Sequence, residues 1–260
     1  MPQYDLTDQY KGFGVSQGLD RGLLVYHGDI LLVEEGMGIG ACAFQTGGFT
    51  YFASTTSIQK DQCTMTMTAS LDKKLVWRIF GIKSEFITRI FEADVKNSYM
   101  KREKNQDRLL RRGTFLRKMF HVDAVYAAAA PQGQVVITYQ TNPDEISVDV
   151  SFKSEIGGML FVMNELGGSL FDKGLINGAR TVPPTGWQAL NGLCELYSDT
   201  HAMAFTIIER HVPGNVRSKL CWGREVTDAY SWAGFECELV CGPGEFDHYQ
   251  YAIKFREEVN

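Results

Sequence analysis

The sequence predicts an all-β protein, a large antiparallel β-sandwich with one short helix. Three observations lead there. Apolar–polar alternation recurs from about residue 23 to residue 255, turn residues punctuate it, and helical spacing is confined to one segment. Alternation is what a half-buried antiparallel strand requires, because successive side chains point to opposite faces of the sheet. A β-barrel of the lipocalin kind is the alternative closure of the same pattern.

Residues 1–20 read as an irregular lead-in to one large β domain over 21–260. Strand-like runs cover 23–27, 30–33, 40–44 and 49–53. Residues 63–69, CTMTMTA, alternate almost ideally, with Thr64, Thr66 and Thr68 on one face. The runs 75–82 and 86–93 carry apolar residues on both faces, which predicts strands covered on both sides or lying beneath a helix. Between 101 and 120 the pattern changes. Leu109, Leu116 and Met119 or Phe120 recur at helical spacing among basic residues, so at least part of this segment is read as the one substantial helix. Two long strands with a basic outer face are the alternative.

Strands resume at 124–128. QVVITYQT (134–141) and EISVDVSF (145–152), with Asn142-Pro143-Asp144 between them, make the clearest hairpin. In its second arm Ile146, Val148, Val150 and Phe152 share one face, and Ser147, Asp149, Ser151 and Lys153 share the other. Further strands are expected at 159–163, 193–197, 202–208, 216–222, 235–241 and 249–255. The Gly- and Pro-rich stretch 174–187 is expected to be a long loop.

Of the 260 residues, 44% are hydrophobic and 22% charged, so the chain can bury a large core. Its formal charge of −5 argues against nucleic acid and against an anionic membrane surface as the main partner. The N-terminal MPQYDLTDQYKGFG shows neither a basic n-region nor an apolar h-region, and no apolar run is long enough to span a bilayer. A cytoplasmic location is therefore expected. Cysteines at 42, 63, 194, 221, 237 and 241 have irregular spacing and read as reduced, mostly buried thiols.

EEGMGIG (34–40) has the alternate glycines of a nucleotide-binding loop but no helical pattern after it. It reads as a turn or bulge, and no cofactor is expected. Cys221, Cys237 and Cys241, with His211 or His248, invite a metal reading. Cys237 and Cys241 sit four residues apart on an alternating strand, about 13 Å. Two ligands each roughly 2.3 Å from one zinc ion cannot be that far apart, so no metal is expected. The same strand sets Glu236 and Glu238 about 7 Å apart on its other face, near the separation of acid–base carboxylate pairs. A solvated polar face is the ordinary alternative.

Two apolar strands run into ionisable groups. Residues 159–163 lead to Asn164 and Glu165, and 204–208 lead to Glu209, Arg210 and His211, with His201 just before. Histidines and carboxylates are the usual proton-transfer groups near neutral pH, which makes His201, Glu209 and His211 candidate catalytic residues. Trp222, Arg224, Glu225, Tyr230 and Trp232 gather aromatic and charged groups in a short stretch, and Trp187 closes the preceding loop. Aromatic faces stack on sugar rings, and Arg or Glu fix hydroxyls, so these six are candidate ligand-binding residues. A sandwich corner plugged by tryptophans is the structural alternative.

The number and length of the strands, the single interrupting helix, and the closing Gly242-Pro243-Gly244-Glu245 before YQYAIKF (249–255) resemble the supersandwich of galactose-mutarotase-like proteins over about residues 20–256. The resemblance implies carbohydrate binding on a concave sheet face, with His and Glu moving protons in the enzymes of the family. It maps none of their residues individually onto this chain. The leading expectation is a carbohydrate-binding or carbohydrate-processing protein whose partner is a small molecule. Two other functions fit the same pattern. Met- and Phe-rich strands can line a cavity for a hydrophobic small molecule, in a carrier or a cofactor-independent isomerase or cyclase. An aromatic surface can also meet another subunit in a homo-oligomeric assembly protein.

Overall fold

The computed structural model describes residues 2–4, 13–16, 19–27, 30–34, 37–61, 64–90, 123–142, 145–227 and 231–257. In chain order the elements are β1 Pro2–Tyr4, β2 Phe13–Ser16, β3 Leu19–Leu23, β4 Val25–His27, β5 Ile30–Leu31, β6 Ile39–Thr46, β7 Phe49–Lys60, β8 Thr64–Ile79, β9 Ile82–Lys83 and helix α1 Glu85–Ile90. They continue with β10 Asp123–Ala128, β11 Gln134–Asn142, β12 Glu145–Ser154, β13 Gly158–Leu166, β14 Lys173–Ile176, β15 Ala179–Thr181 and β16 Gln188–Ala189. The last are β17 Cys194–Ser198, β18 Met203–His211, β19 Val216–Val226, β20 Ser231–Cys241 and β21 Gly244–Glu257.

Apart from a small sheet of β1, β4 and β5, the ladders form two layers. The front layer runs β16-β19-β20-β13-β6-β7 and continues through the C-terminal half of β8 to β10. The back layer runs β15-β14-β17-β18-β21-β12-β11 to the N-terminal half of β8. All of these pairings are antiparallel. β8 belongs to both layers, and register shifts in β7 between Phe52 and Ala53 and between Thr55 and Ser57 bend the sheet where it turns from one to the other. The ladder stays open at β15 and β16 among the described residues, so the architecture is a sandwich and not a closed barrel.

Parity decides what lies between the layers. Ile146, Val148, Val150 and Phe152 of β12, and Met65, Met67 and Ala69 of β8, are buried as the alternation requires. So are Phe235, Cys237, Leu239 and Cys241 of β20. Aromatic pairs join the layers: Phe44 meets Phe152 at 5.1 Å and Phe205 meets Phe235 at 5.4 Å between ring centroids. The described cysteines are all buried thiols.

Some elements differ from expectation. The lead-in carries the strands β1 and β2 and the start of β3. The run expected as a strand over 86–93 begins as helix α1, because Ser84 starts a turn: its carbonyl accepts from Thr88 N and from the Thr88 hydroxyl. Thr88 Oγ1 also accepts from Trp77 N, which fastens the helix to β8. The stretch 174–187 holds the short hairpin of β14 and β15. The expected helix over 101–120 lies outside the described residues. Strands β13 and β18 run on to Leu166 and His211, so Glu165, Glu209 and Arg210 lie within strands and His211 closes one.

Candidate functional site

The two outward faces of the sandwich differ in character. On the back layer they carry Thr64, Thr66 and Thr68, then Ser147, Asp149 and Ser151, then Gln250 and Lys254, which are polar and reach solvent. On the front layer the register sets Phe161, Met163 and Glu165 of β13 beside Glu238, Glu236 and Gly234 of β20. Those in turn lie beside Lys219, Cys221 and Gly223 of β19. Ala41 and Ala43 of β6 extend the same face. It points away from the core, yet its middle is withdrawn from solvent. Ala41, Ala43, Cys221 and Trp232 are buried, Glu236 is 6% exposed and Glu165 9%. Carboxylates are rarely buried without a partner or a task.

Cys221 Sγ and one carboxylate oxygen from each of Glu236 and Glu238 lie within 4.8 Å of one another. Glu238 accepts from Lys219 Nζ through both oxygens at 2.9 Å and from the Cys221 thiol at 3.3 Å. Burial, aided by the Glu238 charge, pushes the Cys221 thiol up to about 12, so it donates a proton and is no nucleophile at neutral pH. Burial works against the Lys219 ammonium, but the bond to Glu238 outweighs it and raises its pKa. Thiol and carboxylates at this spacing are ligand types that a divalent metal accepts. A metal would first have to displace the thiol proton and the ammonium from Glu238.

Further along the same face of β20, four residues or about 13 Å from Glu236, stands Trp232. Trp187 stacks on it with ring centroids 4.1 Å apart and planes inclined by 25°. The loop carrying Trp187 reaches this place by pairing with β19. Arg224 N donates to Pro184 O at 2.9 Å, and Gly186 N donates to Arg224 O at 3.2 Å. Gly223 permits the approach, since a Cβ there would lie 2.0 Å from Gly186 O. Trp187 is half-buried, and Glu225 faces Trp232 across the ladder.

The other candidates are dispersed. Trp222 points the opposite way and joins the core, as the corner-plug alternative has it. Arg224 Nε donates to Gly168 O at 2.6 Å and ties β19 to the segment after β13. Tyr230 lies outside the described residues. His201 sits in the turn between β17 and β18, and His211 ends β18, so the length of that strand, about 27 Å, separates them. Glu209 accepts from the Tyr249 hydroxyl at 2.8 Å. His201, Glu209 and His211 therefore do not converge, and all three belong to the back-layer strand or its turn. The structure brings together Trp187, Trp232 and Glu225, and adds Glu236, Glu238, Cys221, Lys219 and Glu165. Of the added residues, the sequence marked Glu236 and Glu238 by their spacing, Cys221 as a thiol in a possible metal set and Glu165 as an ionisable group after an apolar run, without joining them on one face. Glu165 comes from another strand, and no periodic signal marks it as a neighbour.

A hollow of about 90 Å³ beside Phe152, Asn215, Pro243 and Phe246 lies at the β20–β21 turn. It is well below the roughly 300 Å³ at which small-molecule pockets begin.

Neither a family model nor a curated protein sequence matches the chain. Solved structures are similar to it. A candidate aldose 1-epimerase from Escherichia coli K12 is 8% identical with a TM-score of 0.44, covering 94% of this chain and 98% of that one. A candidate mutarotase from Salmonella typhimurium is 7% identical with a TM-score of 0.36, covering 80% of this chain and 65% of that one. The likeness is one of architecture at low identity.

Proposed function

We propose that the chain binds a carbohydrate on the outward face of the front layer and moves a proton on it, in an isomerase-type reaction. One observation carries this reading: Trp232 with Trp187 stacked on it, and the carboxyl groups of buried Glu236 and partly exposed Glu238, lie on one face of one strand, β20. The half-buried ring of Trp187 stacks on the apolar face of a sugar, and Glu225 accepts its hydroxyls. A cyclic hemiacetal opens when a base takes the anomeric hydroxyl proton while an acid protonates the ring oxygen. Glu236 and Glu238 are close enough to serve as that acid and base. Lys219 and the Cys221 thiol hold Glu238 in place, and Glu236 is the more buried of the two. Catalysis by His201, Glu209 or His211 would have to occur on the back layer, away from the tryptophan pair.

The test is a panel of aldoses and short oligosaccharides, read by thermal shift for binding and by NMR exchange spectroscopy for interconversion of anomers. Glu236→Gln is expected to keep binding and abolish exchange, and Trp187→Ala to weaken binding at least tenfold. No stabilisation by any sugar, together with anomer exchange no faster than in buffer, would overturn the reading.

A further inference from the structure

The back layer carries two β-bulges side by side. In β18 the register shifts between Glu209 and His211, so His211, and not Arg210, stands opposite Gln250 of β21. Where β21 pairs with β12, the register shifts between Val150 and Phe152, and His248 falls in the extra length of β21 between Phe246 and Tyr249. Its φ of 62° is in the left-handed region, which histidine enters more readily than most residues. Bulges re-aim side chains and are common beside functional sites. These two bring both histidines to one patch of the outward face. His211 faces Gln250, and His248 lies two residues from Gln250 along β21, a diagonal separation of about 7–8 Å.

The patch is braced. His248 Nδ1 lies 3.1 Å from Asp149 Oδ2, and Gln250 Nε2 donates to the same oxygen at 2.8 Å. A carboxylate only accepts, so Nδ1 donates, and the neutral ring keeps its lone pair on Nε2. Among the described residues, nothing bonds to Nε2 of His248 or to the His211 ring. Arg210 is committed elsewhere, to both oxygens of Glu145 and to Ser147. A histidine that gives one ring N–H to a carboxylate and presents the other nitrogen is the usual arrangement around a bound metal.

We propose that His211 and His248 bind one divalent transition-metal ion of the class that prefers imidazole, Zn²⁺ or Cu²⁺, with water in the remaining positions. Both side chains are exposed, so rotation about their own bonds closes them on the ion without moving the sheet. Asp149 is a positioning residue that fixes the tautomer and the tilt of His248, and Gln250 holds Asp149 in turn. No cysteine takes part, and the site is on the other layer from Cys221, Glu236 and Glu238.

Calorimetric titration of the untagged protein with Zn²⁺ and Cu²⁺, and with Mg²⁺ as control, tests this. One equivalent of each transition metal is expected to bind, and Mg²⁺ is not. His211→Ala, and His248→Asn, which keeps a residue tolerant of positive φ, are each expected to melt cooperatively and to bind at least tenfold more weakly. Asp149→Ala is expected to weaken binding by about tenfold or more. Asp149→Asn, whose amide oxygen still accepts from Nδ1, is expected to recover part of that loss. Cys221→Ser is expected to bind as the unaltered protein does. Absence of Zn²⁺ and Cu²⁺ binding, binding that survives loss of both histidines, or binding that Cys221→Ser removes overturns the proposal. Equal affinity in Asp149→Ala and the unaltered protein overturns the positioning role.

Discussion

The Tyr251 hydroxyl of β21 donates to Asn164 Oδ1 of β13 at 2.9 Å, from one layer of the sandwich to the other. Both side chains are fully buried. Tyr251→Phe leaves the amide oxygen without its donor, and Asn164→Leu leaves the hydroxyl without its acceptor. Each is expected to cost about 1–3 kcal/mol in urea denaturation. The double variant removes both polar partners, so its loss should fall clearly short of the two single losses added together. An additive result would show that the bond contributes no coupling.

Gly223→Ala tests the seat of the Trp187 loop. The new methyl group collides with Gly186 O, and the loop must lift. The expected outcome is loss of the near-ultraviolet circular-dichroism signal of the Trp187–Trp232 stack, with sugar binding weakened in parallel. An unchanged spectrum would mean that the loop does not depend on this approach.

Two ion pairs on the back layer act in opposite pH ranges. Burial opposes ionisation of Glu145, but Arg210 at 2.7 and 2.8 Å, with Ser147 and Lys254, prevails and lowers its pKa below 4.5. A lowered folded value stabilises above the unfolded pKa and is lost as pH falls through the folded one. The urea-midpoint gap between the protein and Arg210→Met should therefore shrink as pH drops below 4.5. His248 is held above 6.5 by its hydrogen bond to Asp149 and by that group's charge. Its contribution is complete below 6.5 and fades as pH rises through the folded value, so Asp149→Asn should flatten stability across that interval.

Thiol labelling reads the same electrostatics. Burial first, and then a neighbouring glutamate, push both Cys194 and Cys221 up to about 12. In native protein at pH 8, iodoacetamide followed by mass spectrometry should leave both unmodified. Glu238→Gln removes a charge that disfavours the Cys221 thiolate, and labelling at that position should quicken while Cys194 stays silent.

Side-chain parity was legible wherever one face was apolar and the other polar. Ile146 to Phe152, and Met65 and Met67 among the threonines, fall where the alternation puts them. The run after Ser84 misled because Phe86, Ile87 and Ile90 suit a strand, and only the Thr88 bonds to Ser84 and Trp77 reveal the turn. The candidate site was half legible. The spacing of Glu236 and Glu238 put both on one face, but whether that face meets water depends on what the sheet curves toward, which no period records. Trp222 and Trp232 look alike in the sequence and face opposite ways in adjacent strands. His201 and His211 are ten residues apart in the sequence, and the extended strand between them carries them to opposite ends of β18.

β21 lies in the interior of the back layer, between β12 and β18, although it comes after both in the chain. Until it is made, those two strands expose unpaired hydrogen-bonding edges, and Val148 waits for Tyr251 about a hundred residues downstream. Long-range closure of this kind is slow. A nascent chain halted just short of β21 would thus be a sticky half-sheet that invites chaperones or self-association, and the emergence of β21, more than that of any earlier strand, would mark the onset of stable structure.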